Sequence, residues 1–571
     1  MEASDDERPL LIHYQPPQDA GSQCTCDGTV DIDDQPATKK STGNWRACFF
    51  ILGAEVSEGI CFFGVQKNLV TFLTSVLHES NVDAARSVST WTGTCFFTPL
   101  IGAFLADTYL GRYLTVVTFL SVYVVGLLVM TFSASLPLLM PSSYSIDIQH
   151  VVVYLGLYLV ALGTGGIKPC ASSFGADQFD SADPVEQVAK GSFFNWYYFL
   201  INIGSVLSAT LLVWVQDNIG WGVGFGILMV LMVFGLTVFV TGKKIYRYKK
   251  LGASPLKRVS QVVVAALRNY RLKLPDDISA LHGVPSLAGA NCKTEHTNQF
   301  RFFDKAAIVL PPLDGKGSSV MSPWRLCTVS QVEELKTLLR LCPVWASLLF
   351  FFAVTGQMTS TLIEQGMAMD NRVGGFTVPP ASLSTFDIIT VVALIPLYDV
   401  FLVPLARRAT GKNRGISQLQ RIGTGLALSA AAMAYSALVE TRRLAAAAGA
   451  DQSAAAVAAP LSIMWQAPSY IVLGAAEVFA SIGALEFFYD ESPESMKSLG
   501  AALAQLAIAG GSYLNSALLG VVASATARGG APGWIPDDLN QGHLDYFFWM
   551  MAGLSVLNLL HFMYCSMRYK G

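Results

Sequence analysis

The sequence predicts an all-α integral membrane protein whose twelve transmembrane helices form two halves of six. Three observations lead there. Just over half of the 571 residues, 52%, are hydrophobic and only 14% are charged, with positive mean hydropathy, which excludes an ordinary soluble or disordered chain. Apolar runs of about 20 residues, the length that crosses a bilayer as a helix, recur twelve times. A polar region, Lys243 to Arg340, divides them six and six, the arrangement of a transporter assembled from two related halves.

Taken in order, a polar tail of residues 1–42, rich in Asp, Gln and Pro, is expected to be disordered and cytoplasmic. The first half, residues 43–242, carries runs starting near Trp45, Val88, Tyr113, Val151, Phe193 and Gly220. The central loop, 243–340, opens with Lys243, Lys244, Arg247, Lys249, Lys250, Lys257 and Arg258, with no acid among them. Within it Pro255 to Arg271 reads as a basic amphipathic helix, either lying on the anionic inner leaflet or bridging the halves. The second half, 341–571, has runs starting near Leu341, Leu383, Ile422, Leu461, Leu499 and Phe547. Lys and Arg concentrate in the central loop and after the eighth run (Arg407, Arg408, Lys412, Arg414), so both termini and this loop are placed in the cytoplasm. Arg442 and Arg443, assigned outside, are the exception.

Several chemistries are excluded. A net charge of −3 without a basic stripe gives no footprint for nucleic acid. Most of the ten cysteines lie in apolar runs, where a thiol acts as a small hydrophobe, and Cys24-Thr-Cys26 lacks the further ligands of a zinc site. No cofactor is called for. Gly411-Lys412-Asn413 lacks the upstream glycine and the hydroxyl residue of a P-loop, which argues against an ATP-driven pump. No nucleophile stands with a base, which argues against an enzyme. The tail has no signal-peptide pattern, but Asp6 to Leu11 fits an acidic dileucine sorting address ending in Leu10 and Leu11.

The charges inside the runs carry the chemistry. Val151 to Ala176 is long enough to cross a bilayer and contains one charge, Lys168. A lysine at that depth costs about 2.5–3.5 kcal/mol, so it faces the protein interior or a watery cavity and needs an anionic partner. Gly163, Gly165 and Gly166 let another backbone approach, and Pro169 loosens the helix beside it. Glu55 and Glu58, three apart, share one helix face, so at least one is expected to hold a proton or a cation. Glu477 and Glu364 are further acids within runs. Lys67 is turned about 180° from Glu58 and lies about 13.5 Å further along a continuous helix, so it does not neutralise the acids there.

Gly102-Ala-Phe-Leu-Ala-Asp107-Thr-Tyr-Leu-Gly111-Arg112 resembles the signature loop of the major facilitator superfamily. That resemblance implies a charge latch involving Asp107 and Arg112. With Gly163-Thr-Gly-Gly-Ile-Lys168-Pro169, Phe174-Gly-Ala-Asp177-Gln-Phe-Asp180 and Phe194-Asn-Trp-Tyr-Tyr-Phe-Leu-Ile-Asn202-Ile-Gly204-Ser205, the chain resembles the proton-coupled oligopeptide transporters. The wording is closest to the di- and tripeptide subgroup of the plant nitrate/peptide branch.

The resemblance implies roles. Glu55, Glu58 and Lys168 match the proton-coupling set, although the family's Glu-x-x-Glu-Arg reads Glu55-Val-Ser-Glu58-Gly59 here and its arginine is missing. Phe62 and Phe63 replace a substrate-holding tyrosine pair. Asn202 matches an asparagine that touches substrate, and Glu477 matches the glutamate that receives a peptide's amino terminus. Thr355 stands where a nitrate carrier has histidine, and Gln357 joins the expected substrate set. The implied function is proton-coupled symport of di- and tripeptides or related small solutes, driven by a proton gradient, through a cavity between the halves. The alternative is a carrier of nitrate, a hormone or another plant metabolite, or a sensor on the same scaffold. The expected partners are substrate, proton and the bilayer, the expected unit a monomer, and the expected location the plasma or vacuolar membrane.

Overall fold

The computed structural model describes residues 24–25, 29–139, 146–180, 183–249, 255–274, 281–282, 297–309, 322–402, 404–405, 408, 416–449, 459–493, 497–527 and 532–569. Leu10 and Leu11 lie outside the described residues. The long helices of the first half are α1 (Asn44–Gln66), α2 (Asn81–Leu105), α3 (Gly111–Leu139), α4 (Ile146–Ala176), α5 (Pro184–Leu207) and α6 (Trp221–Thr241). Those of the second half are α7 (Val329–Thr355), α8 (Ser384–Leu397), α9 (Gln418–Gly449), α10 (Ala467–Glu491), α11 (Lys497–Thr526) and α12 (Leu544–Arg568). Eleven stretches among the described residues are long and apolar enough to cross a membrane. One of them, Asn81–Ser135, is 55 residues long and covers α2 and most of α3. The chain turns between the two at Gly111, whose φ of 73° favours glycine.

Helix starts follow local chemistry. Ser80 accepts from the Asp83 N–H at the start of α2, and Thr328 and Gln331 form a reciprocal capping box ahead of α7. Asp183 caps α5, with Pro184 in the first turn where its missing N–H costs nothing.

Two glycines seat α4. A Cβ at Gly165 would stand 2.8 Å from the Thr98 carbonyl oxygen on α2, and one at Gly163 2.8 Å from the Tyr123 nitrogen on α3. The approach lets the Trp91 indole N–H and the Thr98 hydroxyl donate to the Leu157 and Ala161 carbonyls of α4, each at 2.8 Å.

The halves meet chiefly at the end of the bundle where α1 finishes and α2 begins, called here the distal end. Asn81 donates to the Pro536 carbonyl at 3.1 Å, Thr90 and Ser516 hydroxyls lie 2.8 Å apart, and Asn515 donates to Ser89 at 2.9 Å. Ile363 and Ala381 of the second half pack into the core of the first.

Three expectations are corrected. Residues 29–42 are ordered: Val30 pairs with Tyr248, and Lys39 donates to Asp183 at 2.8 Å. That hydrogen bond holds the Asp183 carboxyl below its usual range and raises the Lys39 ammonium. The helix Pro255–Arg268 does not lie apolar face down on a leaflet. Its Val262, Ala265 and Ala266 are fully buried with Ala306, Ala307, Val329 and Val332, because the segment 301–307 and the start of α7 cover that face. Arg443 is not a loop charge either. It is fully buried at the distal end of α9, paired with Glu440 at 2.7 Å and donating to Asn540 and the Leu539 carbonyl.

At the termini end, Arg247 is buried, paired with Glu186 at 2.7 Å and donating to the Thr42 carbonyl at 3.0 Å. Removing one partner leaves the other charge uncompensated, so Glu186→Ala is expected to destabilise the first half by about 3–5 kcal/mol. Thermal unfolding of purified protein in detergent measures this, and an unchanged midpoint refutes it.

Candidate functional site

Six of the charged side chains within the helices fall into two groups. The first belongs wholly to the first half. Glu55 and Glu58 are buried on α1, and the Tyr197 hydroxyl of α5 donates to Glu55 Oε1 at 2.7 Å. Glu55 Oε2 and Glu58 Oε1 are enclosed with no hydrogen-bond partner among the described residues. Lys168 of α4 faces them. Its ammonium is within the field of Glu58 first and of Glu55 more weakly, yet no carboxylate of the described residues lies at ion-pair distance. Nζ stands instead 3.4 Å from the centroid of the Phe62 ring and 4.1 Å from that of Phe96. Phe62 in turn stacks on Trp91 at 5.9 Å. A desolvated ammonium over aromatic faces gains about 2 kcal/mol or more, which holds Lys168 beside the acids without a salt bridge.

Phe62 therefore does more than omit a hydroxyl, because its ring face is a seat for Lys168. Phe63 meets it edge-on at 5.3 Å. Gly59, where the resemblance places arginine, faces α5: a Cβ there would be 4.0 Å from Ile201 Cα, and the backbones of Gly204 and Ile60 come closer still. The wall beside the two glutamates is built of close helix packing instead of a cation.

The second group spans the halves. Lys67, at the carboxyl end of α1, is buried, and the charges in its field are Asp387 of α8 and Glu477 of α10. Asp387 is buried against α10, where a Cβ at Gly474 would lie 2.7 Å from its Oδ1, and that oxygen has no hydrogen-bond partner among the described residues. Glu477, three residues beyond Gly474, shares that helix face and is half-buried.

The remaining expected residues fall in different places. Asn202 is half-buried on α5. Thr355 is buried and donates to the Phe352 carbonyl of its own helix at 3.3 Å. Gln357 is fully buried and engaged within the second half: it donates to Asn515 and accepts from Thr361, both at 2.6 Å. Asn515 in turn donates to Ser89 on α2, so Gln357 reaches the other half only through Asn515, and both ends of its amide are engaged in this conformation. Arg112 pairs with Asp177 at the end of α4 and donates to the Ser173 carbonyl at 3.2 Å. The side chain of Asp107 lies outside the described residues. Glu364, within reach of a helix end by sequence, is fully enclosed in the short helix Thr361–Met367.

Sequence reasoning missed Tyr197 and Asp387. Tyr197 stood inside a quoted motif, but its reach to Glu55 crosses 142 residues. Asp387 was legible as an acid within the eighth apolar run.

Comparison with known proteins gives a consistent result. A family model described as the POT family matches residues 113–535. Protein NRT1/PTR FAMILY 8.3 of Arabidopsis thaliana is 50% identical over 557 residues, covering 95% of this chain and 94% of the relative. Protein NRT1/PTR FAMILY 8.1 of the same plant is 48% identical over 562 residues, covering 96% and 97%. Among solved structures, the POT family transporter PepTSo is similar in fold, with a TM-score of 0.69 at 22% identity over 92% of this chain and 98% of that one.

Proposed function

Because the chain belongs to the POT family, we propose that it is a proton-coupled symporter of di- and tripeptides working by alternating access of its two halves. The observation that carries this reading is the first charge group. Two buried carboxylates share a helix face, one held by Tyr197, with a lysine in their field but not bound to either. A cation held in place by rings beside a carboxylate is poised to pair with it when the proton leaves and to release it when the proton returns. The distal hydrogen bonds between α2 and α11 must break for the halves to rock, while Arg112 and Asp177 brace the other end.

In this reading the chain makes twelve crossings as a monomer with both termini in the cytoplasm. It resides in the plasma membrane or, directed by Leu10 and Leu11, in the vacuolar membrane, and needs no cofactor beyond the proton gradient. Glu477 receives the substrate amine.

The test is uptake in a transport-deficient host under an imposed proton gradient, with dialanine against nitrate. Dialanine is expected to accumulate, and a protonophore to abolish that accumulation, while nitrate stays at background. Gradient-independent equilibration, or accumulation of nitrate in place of dialanine, overturns the proposal.

A further inference from the structure

The central loop carries a surface that transport leaves unused. Its described residues fold onto the first turns of α7, where Lys336 pairs with Asp304 at 2.7 Å and the Cys327 N–H donates to the Ala306 carbonyl at 2.9 Å. The outer side of this unit is aromatic and basic: Tyr270 is 53% exposed, Phe302 41% and Trp324 36%. Direct contacts knit these rings and their cations into one patch. Arg268 donates to the Trp324 carbonyl at 3.3 Å, Lys305 donates to the Tyr270 carbonyl at 2.5 Å, and the Lys305 ammonium stands 5.8 Å from the centroid of the Phe302 ring. Arg271 lies over the Tyr270 ring and donates from Nε to its hydroxyl at 2.6 Å. Arg325 is exposed beside Trp324, whereas Asp304, the acid of this region among the described residues, is buried under Lys336. Exposed rings set among cations of one sign mark an interaction surface for an anionic partner.

Position argues against the bilayer as that partner. The apolar part of α7 starts at Leu341, so the residues from Val329 to Arg340 rise about 18 Å beyond the hydrocarbon core, past an interfacial layer of about 5–8 Å, and Trp324 lies ahead of them. We propose that the patch is the docking site for this chain's own amino-terminal segment, residues 1–14. That segment sets Glu2, Asp5, Asp6 and Glu7 against Arg8 and follows them with Leu10, Leu11, Ile12 and Tyr14. Its acids complement the arginines and Lys305, and its apolar side chains cover the exposed rings. The reach suffices. Val30 pairs with Tyr248, which fixes the root of the tail at the root of the loop. From there the chain to Pro255 spans at most about 25 Å and the helix Pro255–Arg268 about 21 Å, whereas the residues ahead of Thr25 extend to about 80 Å. The tail's root is bound to the first half through Lys39 and Asp183, and the patch to the second through Lys336. Docking therefore straps the two halves together at the termini end.

The experiment measures binding in phosphatidylcholine nanodiscs. A fluorescent peptide of residues 1–14 is titrated against the full chain, against the chain lacking residues 2–14, and against that shortened chain carrying Arg268→Glu and Arg271→Glu, with anisotropy as the readout. The shortened chain is expected to bind the peptide roughly tenfold or more tighter than the full chain, whose own tethered segment competes at a millimolar effective concentration. The charge reversal should return binding to background, and added salt should weaken it. A peptide carrying Asp5→Asn, Asp6→Asn and Glu7→Gln should bind the shortened chain at least roughly tenfold more weakly than the parent peptide. Should the reversed chain be missing from the membrane, that peptide decides alone. Equal binding by the full and shortened chains overturns the inference, as does binding indifferent to either set of charges. A patch that answers to lipid also overturns it: Tyr270 would then be shielded from chymotrypsin in phosphatidylserine nanodiscs and not in phosphatidylcholine ones, with the shielding lost in Arg268→Glu, Arg271→Glu. None of these readouts involves uptake, so a failure of the symport proposal leaves this inference untouched.

Discussion

Lys168→Ala is expected to abolish accumulation of dialanine against its gradient while leaving folded protein in the membrane. The ammonium fits between the Phe62 and Phe96 rings in a first-half core that Gly163 and Gly165 hold together without it. Truncation forfeits the cation–aromatic contact, about 2 kcal/mol, which a well-packed half tolerates. It also removes the only cation in the field of Glu58 among the described residues. Nothing then distinguishes the proton-loaded carboxylates from the empty ones by an ion pair, so the link between proton and conformation is gone. Uptake measured beside fluorescence-detected size exclusion separates the two effects. Normal accumulation would return Lys168 to a packing role, and an aggregated variant would show that its main service is to the fold.

Glu58→Gln is expected to uncouple transport without stopping it. Of the two acids, Glu55 is anchored by Tyr197, while Glu58 is the one Lys168 feels most strongly and has an enclosed, unpartnered oxygen. Glutamine copies the shape of the protonated acid and cannot exchange its proton. Proton-driven accumulation should fall by the whole coupling, about 5–150-fold for a coupling free energy of 1–3 kcal/mol. Exchange of labelled for unlabelled dialanine, which needs no net proton movement, should persist. Loss of exchange as well would place Glu58 in substrate binding or in the fold. Retained accumulation would pass the proton to Glu55.

The sequence made some of this site readable and concealed the rest for physical reasons. Lys168, Glu55 and Glu58 stood out because a charge in an apolar run is expensive wherever the run folds. Their relation to one another was set by tertiary packing: spacing along α1 says nothing of the phenylalanine rings on which the lysine is seated. Asp387 shows the opposite limit, since a lone acid in the first turn of a run resembles a helix start until α10 is seen packed over it. Arg443 and the leaflet reading of the helix Pro255–Arg268 failed for a common reason, while its bridging alternative was left standing. Basic residues and an apolar stripe report the need for a counter-charge and a cover, and a buried Glu440 or the segment 301–307 meets that need as well as lipid does.

The attachment of residues 29–42 has a consequence for biosynthesis. Lys39 leaves the ribosome long before Asp183, and Val30 long before Tyr248, yet these are the groups they bind. At each moment before α5 and α6 have been inserted, the amino segment has nowhere to dock and trails behind the growing nascent chain. Its docking is thus a late, completing step of the first half, ready before any of the second half has been translated. A ribosome stalled once Tyr248 has cleared its exit tunnel would carry a first half already buttoned at the edge where this segment docks, while one stalled before Asp183 would carry only α1 to α4, with residues 29–42 still open to proteases.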